Sequence, residues 1–199
     1  MVSIEVKTLG FTEARIRLGD MPKKMHSALR LAISTATKSA EAETGRQITS
    51  HYEIQKSKLR EKMKITRIVP KGGDKPVGGI VVRGGRIPVK SFNVIPTDPP
   101  PQLAIPVRSR QIVSAITVKG GKGLVGRPNV FVARMASGHV GLFRRTGGSG
   151  SMPIDELFMI SAAEMVSGKR CRKAIENKMR EVFESETTRQ IDRALGRKK

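Results

Sequence analysis

Apolar positions recur with two different periods along this 199-residue chain. Val2, Ile4 and Val6 alternate with Ser3, Glu5 and Lys7, the period-two pattern of a strand with one buried face. Residues 11–18 are its expected partner across a turn at Gly10, making 1–19 a strand pair. The period then changes. Met25, Ala28, Leu29, Ala32, Ile33, Ala36 and Ala40, with Ile48 further on, are spaced by threes and fours, which predicts a long helix over 20–52. Asp20 caps its free N–H groups and Pro22 fits the first turn, where its missing N–H costs nothing. So much alanine lets a neighbour approach closely, so this helix is expected to lie tightly on a sheet or another helix.

Residues 57–64 predict a short basic helix leading into a strand over 65–69. Further strands are expected over 77–83, 87–94 and 111–118, with a glycine- and proline-punctuated turn over 70–76 and glycines at 120, 121, 123 and 126. Five prolines, Pro96, Pro99, Pro100, Pro101 and Pro106, remove backbone donors from 93–106 and favour an extended arm or linker over a central strand. The runs 130–135 and 139–144, separated by Ala136-Ser137-Gly138, predict a hairpin. Asp155 and Glu156 read as a solvated turn before the last helix. Ser161 and Glu164 match a capping box. A C-terminal helix over 161–196 follows, with a stripe of Ala174, Ile175, Met179, Val182, Phe183, Ile191 and Leu195, and Gly168 is placed to kink or restart it. Glu176 with Arg180 and Arg189 with Arg193 stand at i,i+4 spacing on its charged face. The expected fold is a single α+β domain over 1–199. Its strand-rich basic region, 64–145, forms a mostly antiparallel sheet flanked by the two long helices, with extended loops or arms.

Charge changes the picture more than composition does. The chain carries 38 Lys and Arg against 17 Asp and Glu, a net +21. Both ends mix signs, with 14 basic and 7 acidic residues in 1–70 and 11 and 8 in 152–199, as solvated helix faces do. Between 71 and 151 there are 13 basic residues and only Asp74 and Asp98. That excess has almost no internal partner, so its expected counter-charge is a polyanion or an acidic protein. Lys71, Lys75, Arg83, Arg86, Lys119, Lys122 and Arg127 lie in this block, mostly in glycine-rich loops, and are the candidates to face DNA or an acidic neighbour. The competing reading is solubilising surface charge.

Candidate chemistry is thin. His26, His51 and His139 lack metal-ligand spacing, and no metal or cofactor is expected. Cys171, the one cysteine, excludes an intrachain disulfide and is read as a semi-buried helix thiol. The Lys119–Gly123 stretch is not a phosphate-binding P-loop, since no Ser or Thr follows the lysine. A nuclease or peptidoglycan-active reading would have to rest on Asp155 or Glu156, which as neighbours on a strand would face opposite ways; no enzyme activity is expected. There is no tryptophan and one tyrosine, and Phe131 and Phe143 read as hairpin core. Any nucleic-acid contact should therefore be backbone-directed and salt-sensitive. No apolar run reaches the length of a membrane span, and MVSIEVKTLG lacks the pattern of a signal peptide.

The alanine-rich helix is followed by "IQKSKLREKMKI" (54–65), "GGRIPVKSF" (84–92), "NVFVARMASGHVGLFRR" (129–145) and "MPIDELF" (152–158), and a Lys-, Arg- and Glu-rich helix ends the series. In that order, over roughly 20–195, the chain resembles the prophage minor tail protein Z family of the lambda type. It differs from that type in its N-terminal strand pair and its proline-rich insert. The resemblance implies a structural virion protein at the head-proximal end of a bacteriophage tail. Such a tail-completion or neck component is assembled in the host cytoplasm, enables head–tail joining and DNA passage, and has no catalytic residues to carry over. It also implies a homo-oligomeric ring, a hexamer by analogy with tail symmetry, whose partners are neighbouring tail and neck proteins and, non-specifically, packaged DNA. The proline-rich arm 96–106 is the candidate inter-subunit or inter-ring contact, because a pre-extended segment loses less conformational entropy on docking; a disordered surface loop is the competing reading. The alternative function is a non-specific nucleic-acid-binding protein.

Overall fold

The computed structural model describes residues 2–6, 22–69, 78–95, 97–99, 114–116, 124–125, 130–147 and 153–196. The architecture is α+β, with antiparallel sheets and two long helices. Contacts gather into two compact units, one of Met1–Ile48, Met63–Gly84 and Ala163–Lys199, the other of Thr49–Lys62 and Gly85–Ala162.

In the first unit, β1 (Val2–Val6), β2 (Lys64–Ile68) and β3 (Gly78–Arg83) form a sheet in the order β1-β3-β2. Ile4 stands opposite Ile80 and Ile65 opposite Val82. The central strand is buried from Gly78 through Val82, on both faces, so it reads as a continuous apolar run. The described partner of β1 is therefore β3; the expected pairing with 11–18 lies outside the described residues.

Helix α1 (Pro22–His51) begins at the predicted proline, while its Asp20 cap lies outside the described residues. Its buried ridge repeats every four residues: Ala28, Ala32, Ala36, Ala40, Thr44 and Ile48, reinforced by Leu29, Ile33 and Thr37. A step of four overshoots a helical turn by about 40°, so this ridge winds roughly 200° around the axis and needs different partners along its length. Ile33 meets β3 at Gly78, and Glu41 reaches Arg67 of β2 at 3.4 Å, an exposed pair of little energetic weight.

After helix α3 (Ala162–Ser167), which starts just past Ser161, the chain breaks at Gly168 and restarts as α4 (Lys169–Ala194). The ridge of α4 has the same period: Cys171, Ile175, Met179, Phe183, Thr187 and Ile191 are all buried. α4 lies against β1, and its Lys178 stands close enough to α1 to act on Glu43. The Gln47 amide bonded to Glu43 at 2.7 Å holds that carboxyl below its usual range, with Arg46 and Lys178 acting in the same direction against burial.

Three threonines in these ridges escaped the hydrophobic pattern. Thr37, Thr44 and Thr187 are buried, and each hydroxyl donates to a carbonyl of its own helix, those of Ser34, Ala40 and Phe183. With the hydroxyl satisfied, the remaining methyl packs as a small apolar group. Leu195, expected in the α4 stripe, is instead 39% exposed. The ion pairs differ as well: Glu176 accepts from Arg172 at 2.8 Å and Arg189 pairs with Glu186 at 2.9 Å, whereas Arg189 and Arg193 are like charges.

Gly78 fixes how closely α1 sits on the sheet, because a Cβ there would collide with Ile33 Cγ2. A β-branched side chain on a helix has little rotamer freedom with which to yield. Gly78→Ala should therefore cost about 1–3 kcal/mol in denaturant unfolding. Adding Ile33→Leu, which moves the branch away from Cβ, should recover at least half of it. Equal losses with and without Ile33→Leu would contradict this contact.

In the second unit, β8 (Val130–Arg134), β9 (Val140–Arg145) and β10 (Ile154–Glu156) form a sheet in the order β10-β9-β8. β4 (Arg86–Pro88) pairs with β11 (Phe158–Ser161), and β5 (Asn93–Ile95), β6 (Ser114–Ile116) and β7 (Leu124–Val125) make a third sheet in chain order. Helix α2 (Lys56–Lys62) buries only Leu59. The core gathers Val89, Val94, Val130, Val132 and Leu142, with Val140, Leu157 and Met159 against them. The predicted hairpin forms with Val132 opposite Leu142, and Gly138, at φ 83°, supplies the left-handed residue its turn requires.

Two expectations are corrected here. Residues 87–94 are not one strand: Pro88 cannot continue a ladder, and the chain turns through a 3₁₀ helix (Val89–Ser91) before β5. Asp155 and Glu156 do not lie in a turn. Asp155 pairs with Arg144 and Glu156 with Phe143 in β10, so β9 gains a partner on each side. In addition, 93–95, expected within the arm, are the edge strand β5.

Candidate functional site

Of the seven cations expected to face a polyanion, Lys71, Lys75, Lys119, Lys122 and Arg127 lie outside the described residues. Arg83 ends β3 and Arg86 begins β4; both are exposed, with the exposed Gly84 and Gly85 between them. Four more exposed cations, Lys56, Lys58, Arg60 and Lys62, crowd the seven residues of α2, where Glu61 alone offsets them and bonds Lys58 at 3.3 Å. A further cationic run opens α4: Lys169, Arg170, Arg172 and Lys173 are exposed, and no acidic residue occupies that first turn. Cations at a helix N-terminus oppose the helix dipole, so this placement costs stability where it stands. The even mixture read over 152–199 concealed this run, although "KRCRK" was visible in the sequence.

Of the arm prolines, Pro96, Pro100, Pro101 and Pro106 lie outside the described residues, and Pro99 is half-buried. The strands on either side of the arm are described. β5 and β6 are antiparallel, with Ile95 opposite Ser114. Residues 96–113, eighteen in all, therefore connect two paired strand ends.

The root of the arm borders an open cleft of about 830 Å³ within the second unit. Ile54, Phe92 and Val94 are buried in its lining, with half-buried Val140 and Tyr52 beside them. Ile54 and Phe92 form an isolated backbone bridge that holds the segment before α2 against the turn before β5. Lys56, Lys58, Glu53, Lys90 and Asp98 stand around the apolar lining. Burial pushes the Lys90 ammonium below the usual lysine range, and the Asp98 carboxylate partly offsets this. The same ammonium donates to the Thr97 carbonyl, pinning the first residues of the arm. Sequence reasoning missed this cleft; the one signal was a lone lysine inside the apolar 87–94 run.

The other face of the β8–β9 hairpin is occupied by side chains of its own. The rings of Phe131 and Phe143 lie 6.1 Å apart, the Arg145 guanidinium sits 4.6 Å over Phe131, and His139 meets Phe143 edge-on. His139 Nε2 lies 2.9 Å from Glu156 Oε1. Both phenylalanines are buried, as expected of hairpin core, and offer no open ring for a base to stack on. Asp155 and Glu156, the carboxylates an enzymatic reading would need, occupy adjacent β10 positions and so point to opposite faces.

Among the described residues, no three His, Cys, Asp or Glu side chains gather as metal ligands, and no helix is long and apolar enough to cross a membrane. Cys171 is buried, and burial pushes its thiol up, so at neutral pH it is a protonated, packed group. No family model, no curated protein and no solved structure matches the chain.

Proposed function

We propose that this chain is a structural component of a tailed-bacteriophage virion, acting at the head-proximal end of the tail as a completion or neck protein. It assembles into a homo-oligomeric ring that enables head–tail joining and lets DNA pass, with neighbouring tail and neck proteins as its other partners. The feature that carries the reading is a connection far longer than a hairpin needs: the eighteen residues 96–113, five of them prolines, join the paired strands β5 and β6. A pre-extended segment loses little conformational entropy on docking. The order of sequence segments shared with the minor tail protein Z family points the same way. The cationic runs, including one kept against a helix dipole, suit a channel wall near DNA or an acidic ring. Copies in such a ring meet head to tail, so each presents one surface and receives another.

A second reading, a free nucleic-acid-binding protein, is favoured by the exposed cations of α2 alone. The mass of the purified protein by light scattering separates the two. A discrete closed ring is expected of the first, and a monomer that coats DNA in proportion to its length of the second.

A further inference from the structure

We propose that the opening turn of α4 is a contact surface for the backbone of double-stranded DNA, with Lys169, Arg170, Arg172 and Lys173 neutralising its phosphates. The inference rests on the reading above, in which DNA passes the ring, and names the side chains that meet it.

The cations fill four of five successive positions, all exposed, and the fifth residue, Cys171, is buried. Successive residues of a helix stand about 100° apart around its axis. With Cys171 facing inward, Lys169 and Lys173 each lie about 160° from it on the far side, and Arg170 and Arg172 flank it at about 100°. The outward half of this turn therefore carries nothing but positive charge.

Counter-charge is missing where a helix would normally hold it. No acidic residue occurs between Glu164 and Glu176. Arg172 bonds Glu176 at 2.8 Å, whereas Lys169, Arg170 and Lys173 have no carboxylate partner among the described residues. Later in the same helix the charges are matched, Lys178 with Glu181 at 2.8 Å and Arg189 with Glu186 at 2.9 Å. The unmatched cations also stand at the positive end of the helix dipole, where acidic residues would stabilise α4. An order of charges that costs stability is expected where a surface serves a partner, here an anion outside the chain.

Two features select duplex DNA over an acidic protein. Four cations in one turn put roughly one positive charge on each 1.5 Å of helix axis, close to the one negative charge per ~1.7 Å of a duplex. In addition, none of the exposed large apolar side chains among the described residues lies on α3 or α4. Protein interfaces gather around an apolar centre and are depleted of lysine, whereas DNA interfaces are polar and strongly positive. The turn offers no aromatic ring, so it meets phosphates and not bases.

The test uses the full chain with Lys169, Arg170, Arg172 and Lys173 all changed to glutamine. Its control loses as much charge farther along α4, through Lys178→Gln, Arg180→Gln, Arg189→Gln and Arg193→Gln. Affinity for a short mixed-sequence duplex is measured against salt, with the oligomeric mass by light scattering and the midpoint of denaturant unfolding. The opening-turn variant is expected to lose roughly 10²-fold in affinity at low salt and to flatten the slope of log affinity against log salt by about 3 to 4, while the control keeps its slope. Its unfolding midpoint is expected to hold or rise, since charges that oppose the dipole are gone. Lys169→Gln with Lys173→Gln, the pair farthest from the buried ridge, serves should the fourfold variant fail to fold, and is expected to flatten the slope by about 2. Equal losses in variant and control would overturn the proposal in favour of net charge alone. Unchanged duplex binding with weaker retention on polyglutamate would overturn it in favour of an acidic protein. A ring whose salt slope is the same with and without the four cations would overturn the contact while sparing the ring. A monomer whose slope falls as expected would uphold the contact and overturn the ring reading.

Discussion

Replacing Lys71, Lys75, Arg83, Arg86, Lys119, Lys122 and Arg127 together by glutamine is expected to weaken duplex-DNA binding by roughly 10³-fold or more at low salt. Each cation that neutralises a phosphate releases condensed counterions and contributes about 0.9 to the slope of log affinity against log salt. Seven true contacts would therefore flatten that slope by about 6. Cations that only solubilise the protein would leave it unchanged, so the slope counts contacts and discriminates better than one affinity. Arg83 and Arg86, the two members among the described residues, are exposed, and glutamine there removes charge without touching the core. The exposed runs on α2 and α4 remain in this variant and supply whatever slope persists. Binding and head–tail joining that match the unsubstituted protein would reduce all seven to surface charge.

Phe183→Ala is expected to cost about 3–5 kcal/mol, a large share of the total stability of roughly 5–15 kcal/mol that folded chains have. Phe183 is 2% exposed and stands in the middle of the α4 ridge, between Met179 and Thr187. Truncating it opens a cavity that ring-sized neighbours cannot close, and it leaves Thr187 and its satisfied hydroxyl beside a void. The readout is the midpoint of denaturant unfolding at constant slope. Leu195→Ala is the matched control: the sequence places both residues in one stripe, but Leu195 is 39% exposed, and its loss should stay within about 0.5 kcal/mol. Similar costs at the two positions would mean that the α4 ridge is not the buried face.

Elements with a sustained period were the most legible. The long helices, the start at Pro22, the break at Gly168 and the hairpin around Gly138 all follow from local spacing, capping and turn chemistry, and the structure places them where the residues require. Strand partners were less legible, because alternation identifies a buried face without saying which strand lies beside it. β1 is paired with β3, more than seventy residues away, a partner that alternation did not indicate, while its expected pairing with 11–18 lies outside the described residues. Buried threonines break an apolar pattern while packing as if they belonged to it, so the four-residue ridges of α1 and α4 emerge only in three dimensions. The cleft was hidden for a related reason. Its lining comes from the end of α1, from α2 and its approach, from the turn before β5 and from the root of the arm, and no single window of sequence contains them. That 96–113 join two strands paired with each other depended on Ile95 meeting Ser114 and was not legible from the prolines between them.

The central claim is assembly, and the most direct test is the solution mass of the purified protein by light scattering, at low and high salt, with short duplex DNA and with tail tubes lacking this protein. The account predicts a discrete closed ring, either free or formed on the tubes. A monomer that ignores tail tubes, coats DNA in proportion to its length and releases it as salt rises would contradict the account.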